Sequence, residues 1–281
     1  MKRWIAILTL LALGAVLLTG CVSDPQAEIQ PLTIHLLKVG KADAIVILSG
    51  DRALVLDTGE EEDGEEVVEF LEHRGIHRIE AMILTHFDRD HVGGAAAIIR
   101  NCRVKQIYAP AYEGRGTDYE AMLEAAGEAG TPIRRLTEPV SLSFGDAALL
   151  IEPPLSYEVD ENADREWDND FSLITTLSHG ENRLVFMGDA EKRRIRQWLA
   201  QETALPCDFL KVPHHGVYNG ALEELLEQLQ PEIAVSCTSQ KHPAEEKTKR
   251  ILEESCRYVL ETKDGDVLVI SDGQRLEVHQ D

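Results

Sequence analysis

The chain has 281 residues, 43% of them hydrophobic, and a formal net charge of −22. That length and apolar share suffice for one large domain with a substantial core, and no low-complexity segment or internal repeat argues for anything else. The acidity excludes binding of nucleic acid or anionic lipid by bulk charge, so any polyanionic substrate has to be held by metal ions or by a local basic patch.

Residues 1–20 read as an address. Lys2 and Arg3 form a positive n-region, and residues 4–18 are an apolar run, short for a bilayer span but suited to a signal peptide. Leu18-Thr19-Gly20-Cys21 resembles the bacterial lipobox, which implies acylation at Cys21 and an extracytoplasmic protein anchored to the membrane by lipid. Loss of residues 1–20 takes the charge to −24. Residues 21–31, with two prolines and mostly polar side chains, form a tether, and residues 32–281 form the folded domain.

Strands are expected at 32–39, 44–48 and 53–57, the last two joined by a turn at 49–52. A helix follows at 65–74, where Val67, Val68 and Leu71 recur at helical spacing and Gly75 stops it. The short apolar strand 81–84 runs directly into a polar loop, after which come helix 95–100, strand 104–108 and helix 119–128. The second half repeats the grammar, with strands 140–144 and 147–151, then a hairpin of 171–177 and 183–187. Helix 191–201, strand 208–212, helix 221–229, strand 232–236, helix 244–255 and a closing meander over 258–279 complete the chain. Meanders with interspersed helices, occurring twice, predict two sheets stacked face to face with helices outside, an α/β four-layer sandwich.

The chemistry concentrates where apolar strands end. His86-x-Asp88-x-Asp90-His91-x-Gly93-Gly94 follows strand 81–84. Residues two apart in an extended segment point the same way, so His86 and Asp88 face one ion while the following turn aims Asp90 and His91 at a neighbour. One loop cannot complete a two-metal site. Further ligands are expected at Asp189, after the strand ending in Met187-Gly188, and at His214 or His215, after strand 208–212. Asp189 is suited to bridge both ions. Cys102, Cys207, Cys237 and Cys256 lack any C-x-x-C spacing and read as core or disulfide-paired residues, so a thiolate cage is not expected.

Val55 to Gly59 (V-L-D-T-G), T-H-F-D-R-D-H-V-G-G, M-G-D-A and K-V-P-H-H-G together resemble the metallo-β-lactamase superfamily, and their spelling is similar to the hydrolase domain of ComEC-type competence proteins. An Asp in place of a second His at Asp88, the segment Gly40-Lys41-Ala42-Asp43-Ala44, Asn169-Asp170-Phe171-Ser172-Leu173 and His242-Pro243 carry that likeness from about residue 32 to about 278. The resemblance implies two divalent metal ions, zinc or manganese, held by His86, Asp88, Asp90, His91, Asp189 and one of His214 and His215. It also implies Asp57 and Asp43 as supports behind the ligands, and catalytic roles for Asp90, Asp189 and His242. The superfamily's further ligand His has one counterpart here, His179, which reads as a solvated turn residue, so Asn169 or Asp170 is expected to replace it. Carboxylate-rich ligands shift the preference from zinc alone toward manganese. Two such ions activate a water for attack on a phosphodiester, with DNA a candidate substrate. The alternatives are a small ester, lactone or cell-wall phosphodiester, and a binding lipoprotein with a vestigial site. Lys38, Lys41, Arg89, Lys211 and Lys241 are the cations near these loops available to hold a phosphate backbone.

Overall fold

A computed structural model describes residues 29–158 and 167–281, so the proposed signal peptide and the acylation site Cys21 lie outside the described residues. The chain opens with β1 (Leu32–Leu36), β2 (Ala44–Ser49) and β3 (Arg52–Thr58), an antiparallel meander. After α1 (Asp63–Glu72) come β4 (Arg78–Ile83), the short α2 (Arg89–Val92), α3 (Ala95–Asn101), β5 (Arg103–Val104), β6 (Ile107–Pro110), α4 (Thr117–Ala129) and β7 (Ile133–Leu136). The second sheet starts with β8 (Val140–Phe144), β9 (Ala147–Glu152), β10 (Ile174–His179) and β11 (Asn182–Phe186). It continues through α5 (Lys192–Leu199), β12 (Phe209–Lys211), α6 (Leu222–Leu229), β13 (Ile233–Ser236), α7 (Glu246–Ser255) and β14 (Tyr258–Glu261). Finally β15 (Val267–Ser271) and β16 (Leu276–Gln280) return to the first sheet, where β15 pairs with β1.

The first sheet runs β16-β15-β1-β2-β3-β4-β6-β7, with β5 also on β4, and the second runs β14-β13-β12-β11-β10-β9-β8. Alternate strand residues divide the apolar set between two faces. Ile34, Ile47, Leu56, Leu149, Phe186 and Phe209 lie between the sheets, while Val46, Val55 and Met82 on the other face of the first sheet pack with Val67 of α1, Ile98 of α3 and Met122 of α4. Val185 and Leu210 on the outer face of the second sheet pack with Trp198 of α5, Leu225 of α6 and Leu252 of α7 in the third cluster. The expected αβ/βα sandwich is therefore the fold. No helix among the described residues is long and apolar enough to cross a membrane.

Parallel pairing decides where the chemistry sits. β3 pairs parallel with β4, and β11, β12, β13 and β14 pair parallel in sequence. The carboxyl ends of parallel neighbours share one edge, so the loops after β3, β4, β11 and β12 emerge together, as is usual for ligand sites in open α/β sheets. The loop after β4 is held low by a close approach of α1 and α3: a Cβ on Gly94 would meet the Thr58 carbonyl oxygen at 2.2 Å and Gly64 Cα at 2.7 Å. Glycine removes that clash.

One strand expectation is corrected, and three of the cysteines take the core alternative rather than the paired one. Strand 104–108 is broken into β5 and β6, and β7 is an additional strand whose paired arginines, Arg134 and Arg135, disguise it. The four cysteines of the domain are free thiols, three of them buried, and none is in a disulfide.

Candidate metal centre

Four ligand atoms already converge. One atom from each of Asp90, His91, Asp189 and His215 lies within 4.8 Å of all the others, although the residues come from the β4, β11 and β12 loops. His91 Nε2 is 3.2 Å from Asp189 Oδ1 and 3.3 Å from His215 Nε2. His215 Nε2 lies in turn 3.2 Å from Asp90 Oδ2 and 3.1 Å from Asp189 Oδ2.

The far sides of both rings fix their tautomers. His91 Nδ1 donates to Asp57 Oδ2 at 2.8 Å, and His215 Nδ1 donates to the Cys237 carbonyl at 3.0 Å. Each Nε2 therefore presents a lone pair to the other and to carboxylate oxygens, an arrangement that suits a cation at its centre. Without one, protons must take its place. Burial opposes charging His91, but Asp189 and Asp57 outweigh it and raise its pKa well above the ordinary imidazole value. His215 is pushed up to about 9 in the same way, with Asp189 overcoming burial. Asp189 is driven the other way: His215 and His91 outweigh its burial and hold it well below the carboxylate range. Groups poised this way exchange protons for a divalent ion as ligands do. His86 Nε2, which is buried, also lacks a hydrogen-bond partner among the described residues. The donor set fits a divalent metal.

Behind the cage, one network of charges holds the loops in register. Asp57 Oδ1 accepts the Thr85 amide at 2.7 Å, and Oδ2 accepts the Thr85 hydroxyl at 2.7 Å. Asp57 does this from a left-handed backbone conformation, φ 54°, and His214 and His215 share that conformation at φ 48° and 51°. Three of the four non-glycine residues with positive φ among the described residues thus stand at this site, where such strain characteristically collects. Asp43 is buried beside the Lys211 ammonium, and its amide donates to the Asp90 carbonyl at 3.1 Å, tying the β1–β2 loop to the ligand loop.

The position expected for a second ion is less complete. His86 is fully buried, with Nδ1 3.0 Å from the Thr85 hydroxyl and Nε2 3.7 Å from Asp88 Oδ2. The two meet as the alternation predicts. His214 Nε2 stands 4.0 Å from Asp189 Oδ2, while Nδ1 is held at 2.7 Å by Glu191 Oε1, a partner that nothing in its sequence setting marked. His215, not His214, is in the four-atom cage.

Several residues stand elsewhere than the sequence suggested. Asp170 turns to α5, accepting the Arg194 amide at 3.2 Å and pairing with Arg193 at 3.2 Å, so it does not replace the missing His. Asn169 is buried, its Oδ1 without a hydrogen-bond partner among the described residues. His179 is not solvated: it is fully buried, its Nδ1 2.7 Å from the Ser271 hydroxyl, because the hairpin turn is tight and β15 covers it. His242 is exposed between β13 and α7, and its ring joins no hydrogen bond or ion pair among the described residues. Lys211 is not available to a phosphate backbone, being fully buried on Asp43 and the Gly188 carbonyl at 3.1 Å. Arg89 is taken by Glu60.

The family model described as the metallo-beta-lactamase superfamily matches residues 37–240. ComE operon protein 3 of Bacillus subtilis is 30% identical over 203 residues, covering 71% of this chain and 25% of that protein. Recombination protein 2 of Haemophilus influenzae is 26% identical over 256 residues, covering 88% of this chain and 30% of that protein. The chain thus spans less than a third of the length of these relatives, and the likeness to a competence protein read from the motifs is borne out. Among solved structures, the metallo-beta-lactamase fold protein YhfI of Bacillus subtilis superposes with a TM-score of 0.58 at 10% identity, covering 89% of this chain and 100% of that one.

Proposed function

We propose, from the premise that this chain belongs to the metallo-beta-lactamase superfamily, that it is an extracytoplasmic, lipid-anchored metal-dependent hydrolase of phosphodiesters, with DNA among its candidate substrates. The observation that carries the catalytic reading is the preformed cage of Asp90, His91, Asp189 and His215. Asp189 would hold the first ion from this cage, its two oxygens lying 3.2 Å from His91 Nε2 and 3.1 Å from His215 Nε2, and as a two-oxygen carboxylate it would be shared with an ion at the His86–Asp88 position. Two divalent ions bound there would lower the pKa of a water to near neutrality and offset charge on a phosphoryl group.

The chain's own residues supply orientation and access. Asp57 and the Cys237 carbonyl keep both ligand imidazoles in the tautomer that presents Nε2. Lys211, its pKa raised because Asp43 and Asp189 outweigh its burial, offsets part of the carboxylate charge from behind. Solvent reaches the centre on the side of Asp88, Asp90 and His214, whose side chains are 44%, 24% and 12% exposed, so substrate approaches there. His214, braced by Glu191, offers Nε2 to an incoming group on that side.

A phosphodiester reading draws support from the carboxylate-rich ligand set and from the competence-protein likeness. The strong acidity favours the alternative of a small ester or lactone. The test is hydrolysis, with manganese and with zinc, of a bis-aryl phosphate, single-stranded DNA, a chromogenic carboxylate ester and a lactone. The proposal expects turnover of the first two, lost in Asp189→Ala. Turnover confined to carboxylate esters or lactones, or unaffected by Asp189→Ala, contradicts it.

A further inference from the structure

The acidity of the chain leaves each further anion of a substrate to be met by a local cation with donors to spare. Most guanidinium groups on the side of the metal centre have none. Arg89 is held by Glu60, Arg193 by Asp170, and Arg194 by the Ser172 and Glu152 carbonyls. Arg135 donates to the Pro110 and Tyr112 carbonyls and to the Tyr119 hydroxyl. Arg115 differs. It is exposed, and its guanidinium joins no hydrogen bond or ion pair among the described residues, although Glu113 and Asp118 are near in sequence. It lies instead over the partly exposed Trp167 indole, with Cζ 5.2 Å from the ring centre. Such a contact is electrostatic attraction to the ring, so it seats the group while leaving its N–H fork unspent, in the geometry that matches a phosphate.

Two contacts carry this pair to the rim of the centre. β6 pairs parallel with β4, Ile83 beside Tyr108, so the loops that follow the two strands emerge at one edge. Gly114 then packs onto the ligand loop: a Cβ there would meet the Tyr119 ring at 2.6 Å and the Cβ of Phe87, the residue between His86 and Asp88, at 2.8 Å. That approach keeps the Cα atoms of Arg115 and Asp88 within about 14 Å of each other. Trp167 is fixed from the other direction, its ring centre 5.5 Å from that of Tyr112, whose hydroxyl accepts the Phe87 amide at 3.0 Å. Asp88, 44% exposed, marks this as the open side of the centre.

We propose that Arg115, seated on Trp167, binds a phosphate next to the scissile one, so that the site is built for a single-stranded chain of phosphodiesters rather than for an isolated ester. The inference rests on the phosphodiester reading above. Metal ions would offset the charge of the scissile group, and Arg115 meets the next negative charge along the strand, which the field of the chain otherwise repels. A phosphate contact carries no base information, so this one adds affinity without sequence preference.

The experiment compares kcat/KM of the full chain, loaded with manganese, on a single-stranded oligothymidylate and on the thymidine dinucleotide, which has one phosphodiester and no neighbouring phosphate. Wild type is expected to favour the oligonucleotide. In Arg115→Gln the ratio of the two values is expected to fall about 10-fold through KM, the scale of one charge-assisted bond. The plot of log kcat/KM for the oligonucleotide against log salt should flatten by a slope of about 0.7, the share of one phosphate contact on a single strand. Polarisation of a labelled oligothymidylate with the full chain in chelator, where nothing turns over, should show a Kd raised by the same factor. Trp167→Leu, which removes the seat, is expected to lower the ratio as well. Arg100→Gln, at an exposed arginine near the end of α3, is expected to keep both ratio and slope. Wild-type ratio and slope in Arg115→Gln, or an equal fall on both substrates, overturns the assignment. Turnover of neither nucleotide substrate nor a bis-aryl phosphate by wild type sinks the phosphodiester reading instead.

Discussion

Replacing Asp57 by Asn isolates the support behind the ligands from the ligands themselves. Asn fits the same space and tolerates the left-handed backbone at φ 54°, so little strain is added. One end can still accept the Thr85 amide, but the other turns an NH2 group onto the Thr85 hydroxyl and His91 Nδ1, which now face Oδ2 at 2.7 and 2.8 Å. Two hydrogen bonds to a charged acceptor are lost, each worth about 1.5–3 kcal/mol. Rotation of the Thr85 hydroxyl recovers part of this, leaving roughly 2–4 kcal/mol in the metal-free chain. A larger consequence follows for binding. Without a carboxylate to receive its proton, His91 favours the tautomer with hydrogen on Nε2, the atom that must face the metal. Metal affinity is expected to fall about 10–100-fold. Urea unfolding with chelator measures the first quantity, and manganese titration the second. Wild-type affinity together with a wild-type urea midpoint would refute the assignment of Asp57 as the residue that orients His91.

Three further outcomes are expected. His215→Ala removes a cage side chain whose ring is fully buried, and inductively coupled plasma mass spectrometry should find at most one metal equivalent where wild type is expected to hold two. Gly94→Ala drives a methyl into the Thr58 carbonyl at 2.2 Å, which is backbone and cannot turn aside, so the urea midpoint should drop by an amount equivalent to about 1–3 kcal/mol or more. His35 has its pKa lowered to about 4 by burial, with the Arg74 charge adding to it. Because the unfolded chain takes up this proton more readily, His35 contributes stability that is full above pH 6.5 and is lost as pH falls toward 4. After allowance for solvent screening that loss is about 1–2 kcal/mol, and His35→Gln should flatten the stability profile over this window in chelator.

How much of this was legible in the sequence follows from what each residue depends on. The ligand loops announce themselves because apolar runs end at His86, at Asp189 and before His214, and parallel pairing brings such ends to one edge. The choice between His214 and His215 was hidden because both are left-handed, and only the three-dimensional path of that turn aims one ring at the cage. Glu191, which braces His214, was invisible as a single carboxylate among 50 acidic residues. His179 and Lys211 depart from the sequence expectation for a shared reason: a polar residue at a strand end commonly faces solvent, whereas Ser271 and Asp43 partner these two in buried surroundings. Strand β7 escaped because an edge strand needs to bury little, and Ile133-Arg134-Arg135-Leu136 has no continuous apolar run.

The account stands on distant loops holding a pair of cations. Anomalous diffraction at the manganese edge, from crystals of the full chain grown with manganese, tests it most directly. Two peaks are expected, one enclosed by Asp90, His91, His215 and Asp189 and the other beside His86 and Asp88. A map with no peak among these side chains, or with manganese bound only at surface carboxylates, would contradict it.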